Sequence, residues 1–167
     1  MSTLKRQLRP VQLIVFGMAI FLDRSFMELP PSVVRVFIDG DCVPEPFFTL
    51  LRRLSSRSRV AVFAAFRPFE GKVSAWGTFW ASSFKVIPMQ EERLRSRLLA
   101  SGIDDSLIFL HPSKTNAMNA ADVILTFLFG RYAGTKNYLV SDDRQWFKEV
   151  VKSKPTVWIT SDKFREP

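Results

Sequence analysis

The chain has 167 residues, one cysteine and one histidine, with a formal net charge of +8 and a sequence pI of about 10.1. These counts exclude an internal disulfide, a multi-cysteine zinc site and a histidine-rich metal centre. The length suits one domain, or one domain with an extension. The excess of basic residues indicates a polyanionic partner such as RNA, DNA or an anionic membrane; the alternative is a basic protein without such a partner.

Residues 1–31 differ in character from the rest of the chain. Basic residues precede an apolar run from Val11 to Leu22, and no acid occurs before Asp23. The run is too short to span a bilayer comfortably, and no small-x-small cleavage motif follows it. We expect a helical extension that ends at Pro30-Pro31, because a proline pair cannot continue a helix. The basic, acid-poor segment also fits an organelle presequence, so we expect an intracellular protein, either cytoplasmic or organellar with a hint of mitochondrial targeting.

After Pro31 the chain alternates between strand and helix patterns. Val33 to Ile38 is a β-branched apolar run that ends at Asp39, and it predicts a buried parallel strand. A helix is predicted from Pro44 through Leu54, since proline suits a first turn and apolar residues recur on one face. Residues 59–66 predict a second buried strand.

The alternation continues to the end of the chain. Further helices are predicted over residues 76–83, 90–101, 119–129 and 144–152, the second of them stopped by Gly102. Further strands are predicted over residues 84–88, 107–110, 138–141 and 156–160, the second of them either a short strand or an extended segment. This order predicts a parallel sheet with right-handed crossovers and helices on both faces.

Acidic residues occur where these strands end and where one helix begins. Asp39 ends the first strand, Asp142 and Asp143 follow the strand that starts at Tyr138, and Asp122 lies in the first turn of a helix. In such sheets the ligand crevice lies outside the carboxyl ends of the strands. A carboxylate there is costly unless it is hydrogen-bonded, paired or bound to metal. The pattern therefore predicts a site for a hard cation, and so a possible nuclease.

Three segments between Val36 and Ile159 together resemble the NYN branch of the PIN-like nucleases. They look like the family's opening strand and turn, its central acidic helix, and its Ser-x-Asp strand end followed by an aromatic-bearing helix. The segments are Phe37-Ile38-Asp39-Gly40-Asp41-Cys42-Val43-Pro44, Asn119-Ala120-Ala121-Asp122-Val123-Ile124-Leu125 and Val140-Ser141-Asp142-Asp143-Arg144-Gln145-Trp146-Phe147. The resemblance implies a three-layer α/β/α sandwich with a central parallel sheet, here residues 32–167, and cleavage of RNA that depends on Mg²⁺ or Mn²⁺.

The resemblance also implies roles for individual residues. Asp39, Asp122 and Asp143 match the family's metal-binding carboxylates and are the expected catalytic metal ligands. Asp142 would be an outer ligand or would orient the attacking water. Magnesium suits such a set, since it binds a few carboxylates and keeps several waters.

The chain departs from the family's pattern at three positions. Cys42 stands where asparagine is usual, Met118 where lysine is frequent, and Gln145 where many members carry another aspartate. These departures favour a second hypothesis, in which a catalytically weakened or inactive PIN-like module is an RNA-binding or structural component of a ribonucleoprotein complex. The retained acids favour the ribonuclease.

The same residues also have purely structural interpretations. Asp122 would stabilise the start of a helix whose N-cap is Asn119, and Asp142 would cap the next helix. Asp41 would shape a turn. His111 is expected in a loop, as a surface residue or local hydrogen bonder.

Two arginine clusters are candidate contacts for RNA phosphates. They comprise Arg52, Arg53, Arg57 and Arg59 in the first, and Arg93, Arg95 and Arg97 in the second. The alternative for the second cluster is a solvated helix face paired with Glu91 and Glu92. Trp76, Phe79 and Trp80 could stack on bases, with core or partner packing as the alternative.

Overall fold

The computed structural model describes residues 11–15, 18–22, 29–41, 43–67, 86–87, 91–114 and 119–164. The strands are β1 (Val11–Val15), β2 (Met18–Leu22), β3 (Val34–Asp39), β4 (Val43–Pro44), β5 (Val60–Phe66), β6 (Val86–Ile87), β7 (Ile108–Pro112), β8 (Asn137–Val140) and β9 (Thr156–Ile159). The helices are α1 (Pro46–Ser55), α2 (Glu91–Ala100), α3 (Ala120–Tyr132) and α4 (Arg144–Phe147), with 3-10 turns at Asp105–Leu107, Val151–Ser153 and Ser161–Phe164.

Five strands form one all-parallel sheet in the order β7-β5-β3-β8-β9. The prediction that Val34–Asp39 lies in the interior of such a sheet is confirmed, because β3 is its middle strand. The chain extends the sheet from β3 first through β5 and β7 and then, in the other direction, through β8 and β9. This reversal makes the gap between β3 and β8 the topological switch point, where parallel sheets form their ligand crevices.

The helices cover both faces of the sheet, so β3 is apolar on both sides. On one face, Phe37 stacks on Phe63 with ring centroids 5.2 Å apart, and it meets Phe129 of α3 edge to face at 4.9 Å. On the other face, Ile38 packs in a second cluster with residues of α1 and α2, including Leu51. The predicted α/β/α layering is therefore present.

Several predicted elements are confirmed with small shifts in their ends. Gly102 follows α2 with a φ of +82°, a left-handed conformation that favours glycine after a helix C-terminus. The predicted helix over residues 144–152 is shorter, because α4 ends at Phe147 and a separate 3-10 turn follows. The predicted helix over residues 76–83 lies outside the described residues.

Two predicted elements differ in kind from the structure. The apolar run expected to be helical forms β1 and β2, an antiparallel pair in which Val11 is opposite Leu22. Valine, isoleucine and phenylalanine are frequent there, and such residues favour strands. The strand predicted over residues 84–88 contains β6, which pairs antiparallel with β4 and not with the main sheet. No helix in the described part of the chain is long and apolar enough to cross a membrane.

Arg35 attaches the segment before the sheet to the domain. This buried side chain donates hydrogen bonds to the carbonyl oxygens of Val33 at 2.6 Å and Leu29 at 2.8 Å. Thr135 also donates from Oγ1 to the carbonyl of Pro31 at 3.0 Å. The residues around the expected boundary at position 31 are thus held against the domain by side-chain contacts.

Candidate functional site

Asp39 is a buried carboxylate at the carboxyl end of the central strand, with 8% of its surface exposed. Its Oδ1 accepts a hydrogen bond from the backbone N–H of Asp41 at 3.2 Å, and its Oδ2 accepts one from Ser141 Oγ at 3.1 Å. Burial raises the pKa of Asp39 well above its ordinary value, and the carboxylates of Asp122 and Asp41 raise it further. The group is therefore held at an electrostatic disadvantage that a cation would relieve.

Gly40 lets the ends of β3 and β5 approach closely beside Asp39. Its N–H donates to the carbonyl of Ala65 at 2.8 Å, and a Cβ at this position would lie 2.8 Å from Cβ of Phe66. Only glycine fits such a contact without a shift of the neighbouring chain. The close approach continues in the next residue, since Asp41 accepts the backbone N–H of Arg67 at 2.8 Å.

Arg67 adds a positive charge to the acidic edge. Its Nε lies 2.5 Å from Asp41 Oδ2, and the Asp41 side chain of this ion pair is only 13% exposed. The same guanidinium lowers the pKa of Asp122. Asp41 is therefore more than the turn-shaping residue that the sequence suggested, because it holds an arginine among the acids.

Asp122 lies in the first turn of α3, facing the same edge of the sheet. Burial and the charges of Asp143 and Asp41 raise its pKa to about 6, against the opposing effect of Arg67. Asn119 is the N-cap of α3, as expected; it has a left-handed φ of 65°, and its side chain makes no capping hydrogen bond. Asparagine tolerates this conformation better than most residues.

Asp142 and Asp143 point to different partners. The expectation that Asp142 caps α4 is wrong, because its Oδ1 instead accepts the N–H of Ser161 at 2.6 Å. Asp143 is the N-cap and accepts the N–H of Trp146 at 2.8 Å, while its own N–H donates to Ser141 Oγ at 3.1 Å. The carboxylate of Asp143 lies close enough to Asp122 to raise the pKa of Asp122.

The carboxyl edge therefore carries an acidic cluster of Asp39, Asp41, Asp122 and Asp143 whose charges interact. Among the described residues, no three histidine, cysteine, aspartate or glutamate side chains are arranged as a metal-binding group. Magnesium does not require such a cage, since it commonly uses one or two carboxylates together with waters and substrate phosphates. Carboxylate oxygens are the type of ligand that a hydrated Mg²⁺ or Mn²⁺ ion would take from this cluster.

The first arginine cluster lies at the amino ends of the strands, opposite the carboxyl ends that carry the acids. Val34 N–H bonds to the carbonyl of Arg59 at 3.0 Å, so this cluster flanks the amino end of β3. Five residue steps of about 3.3 Å along β3 separate that end from Asp39, or roughly 17 Å. The structure leaves the first arginine cluster exposed but does not bring it to the acidic site.

The second arginine cluster is partly occupied by contacts within the chain. Arg97 pairs with Glu45, and its guanidinium carbon lies 4.6 Å from the ring centre of Phe48. Arg95 pairs with Asp105. The alternative pairing with Glu91 and Glu92 is therefore wrong for Arg95 and Arg97, because their partners are Asp105, in the turn before β7, and Glu45, the residue just before α1.

The remaining sequence candidates contribute little to the described site. His111 lies on β7 and not in a loop; burial lowers its pKa to about 4, and its buried Nε2 has no hydrogen-bond partner among the described residues. Cys42, Met118, Trp76, Phe79 and Trp80 lie outside the described residues.

Sequence reasoning missed Arg67 and did not assign a role to Ser141. Both residues directly follow a buried strand, β5 and β8 respectively. The rule that selected Asp39, a polar residue after a buried strand, would also have selected them. No family model, curated protein or solved structure matches this chain.

Proposed function

We propose that the chain is a divergent PIN-like ribonuclease domain that hydrolyses RNA phosphodiester bonds with Mg²⁺ or Mn²⁺. The observation that carries this proposal is the gathering of Asp39, Asp122 and Asp143 from three distant segments at one switch-point edge. Burial, together with the neighbouring carboxylates, raises the pKa values of Asp39 and Asp122, and carboxylates perturbed in this way are concentrated at functional sites.

Asp39, Asp122 and Asp143 would hold the cation, directly or through water. When bound, such an ion would supply Lewis acidity toward the phosphate and would lower the pKa of a bound water. The chain's own groups set the site: Ser141 orients Asp39, and the α4 turn fixes Asp143 through its cap to Trp146. Arg67, held by Asp41, brings a guanidinium to the same edge, and arginine suits binding of phosphate oxygens.

RNA would be bound mainly through its phosphates. The net charge of +8 and the exposed first arginine cluster support this partner class. Because that cluster lies roughly 17 Å from Asp39 along the buried strand β3, an RNA that contacts both would need at least about five nucleotides at the ~3.4 Å spacing of a stacked strand. Substrates shorter than this would lose the contribution of the arginines.

One observation favours a second candidate, the inactive RNA-binding or structural module of a ribonucleoprotein. Arg67 neutralises part of the acidic cluster through Asp41, which weakens the need for a cation. A guanidinium in this place is the arrangement that would be expected if the site had lost its metal and kept its fold.

A nuclease assay separates the two candidates. Labelled single-stranded RNA and DNA of ten and four nucleotides are incubated with the protein in Mg²⁺, Mn²⁺ or chelator. The ribonuclease predicts RNA cleavage in either metal, none in chelator, and faster cleavage of the longer RNA. Binding of RNA without cleavage under all conditions would support the inactive module instead.

A further inference from the structure

Trp146 is an exposed aromatic residue that is held at two points, one on its indole and one on its backbone. It is 37% exposed. Its indole Nε1 donates to Thr126 Oγ1 of α3 at 2.8 Å, and its backbone N–H donates to Asp143 Oδ1 at 2.8 Å. A tryptophan held in this way loses little conformational freedom when a ligand stacks on it.

These two contacts place the indole beside the acidic cluster. Thr126 follows Asp122 by four residues, so the two share one face of α3, one turn apart. Trp146 therefore bridges the two elements that carry Asp122 and Asp143. The Nε1 end of the ring therefore lies about one helical turn from Asp122 on the same face of α3.

Trp146 is not needed to fill the core. The neighbouring residue Phe147 is fully buried and already fills the core beneath α4. The other large apolar side chains exposed in the described part of the chain, Leu99 and Val157, are aliphatic and lie on α2 and β9. Trp146 thus combines an exposed aromatic side chain, an indole held by Thr126 and a position near the acids.

We propose that Trp146 is a stacking platform for one nucleobase of single-stranded RNA, which positions the neighbouring phosphate at the acidic cluster. The proposal rests on the proposed ribonuclease function and deepens it by naming the substrate class. Base–aromatic stacking tolerates any base, because every base has a π-face. Duplex RNA is excluded as the preferred ligand, since its bases are already stacked and paired.

The test compares binding of two ligands of equal charge in chelator: a ten-nucleotide single-stranded RNA and an abasic ribose-phosphate oligomer of the same length. The wild-type protein should bind the RNA roughly tenfold more tightly, a stacking preference in the range measured for single bases. Trp146→Ala should lose most of that preference while its affinity for the abasic oligomer stays unchanged. Trp146→Phe should keep a large part of it.

Leu99→Ala is the matched control, since it removes an exposed apolar side chain from α2 and should leave the preference intact. If Trp146→Ala fails to fold, Trp146→Leu keeps an apolar cover over α3 without an aromatic face and should lose the preference as well. Equal binding of both ligands by the wild type, or a preference that survives Trp146→Ala or Trp146→Leu, would overturn the proposal. A tryptophan-dependent preference in a protein that never cleaves RNA would reject the ribonuclease and retain the platform.

Discussion

Ser141 Oγ donates a hydrogen bond of 3.1 Å to Asp39 Oδ2, although the two residues are 102 positions apart in the chain. The bond joins the carboxyl ends of β3 and β8 at the switch point of the sheet. The same hydroxyl oxygen accepts the N–H of Asp143. One side chain thus orients two of the three expected metal ligands.

Ser141→Ala should destabilise the protein by about 1–3 kcal/mol, because it leaves a buried carboxylate oxygen and a backbone N–H without their partner. Urea unfolding monitored by circular dichroism measures this loss. The matched control is Ser96→Ala on α2, whose exposed hydroxyl bonds only its own helix, to the carbonyl of Glu92, and which should change stability by less than about 0.5 kcal/mol. Equal losses in the two variants would show that the Ser141 bridge has no special role.

Asp122 predicts a pH dependence of stability. Its pKa is about 6 in the folded protein and near 4 in an unfolded chain, so the folded state binds more protons between these values. Stability should therefore fall as the pH rises from about 4 to about 6, and Asp39 acts in the same direction. Asp122→Asn should flatten this fall and stabilise the protein at pH 7.5 in chelator by on the order of 1–2 kcal/mol.

Thermal unfolding across this pH range tests the expectation, with Asp105→Asn on the exposed surface as the control. A variant at Asp122 that is less stable than the wild type at pH 7.5 would show that its carboxylate is structurally required. Added Mg²⁺ should raise the melting temperature of the wild type at pH 7.5 and have a smaller effect at pH 5, where Asp122 binds a proton.

Arg67 and a divalent cation should both be attracted by the carboxylates of the acidic cluster, so each should weaken the binding of the other. Arg67→Gln removes the charge that offsets the acids, so it should lower stability in chelator and enlarge the stabilisation by Mg²⁺. Arg93→Gln, an exposed change on α2, is the control and should alter neither quantity. An Arg67 variant whose Mg²⁺ response is the same as that of the wild type would separate the arginine from the cation site.

The first arginine cluster predicts salt-dependent RNA binding. Changing Arg52, Arg53 and Arg57 together to glutamine should weaken binding about equally for all sequences and reduce the slope of log K against log salt by about 2, since each lost phosphate contact in a single strand contributes about 0.7. Fluorescence anisotropy between low and moderate salt measures the slope. Cleavage of a four-nucleotide RNA should be unaffected, because the cluster lies at the far edge of the sheet. An unchanged slope would remove this cluster from the RNA-binding surface.

The sheet could be predicted from sequence because its signals are local and strong. Val34 to Asp39 is apolar on both faces, which a central parallel strand requires, and the strand–helix alternation then determined the layering. The acids Asp39 and Asp143 could be placed at one edge by the same rule. By contrast, the apolar run from Val11 to Leu22 suits a helix or a strand, since a short apolar segment does not reveal its own period.

The finer chemistry of the site was beyond the sequence because it depends on contacts between distant segments. The ion pair of Asp41 with Arg67 and the separate partners of Asp142 and Asp143 follow from the relative positions of strand ends. A one-residue shift decides which of two adjacent aspartates caps α4. Spacing in the chain does not resolve such a difference, which depends on the local backbone at the start of α4.

Asp39→Asn tests the proposed ribonuclease most directly, in one paired measurement of RNA cleavage with Mg²⁺ and of folding stability in chelator. The substitution keeps the shape of the side chain and removes its charge. Cleavage should fall at least about a hundredfold, and the variant should be as stable as the wild type or more so, because a repelled buried carboxylate is gone. Normal cleavage by the variant, or a large loss of stability in chelator, would contradict a metal-binding role for Asp39 and with it the proposed function.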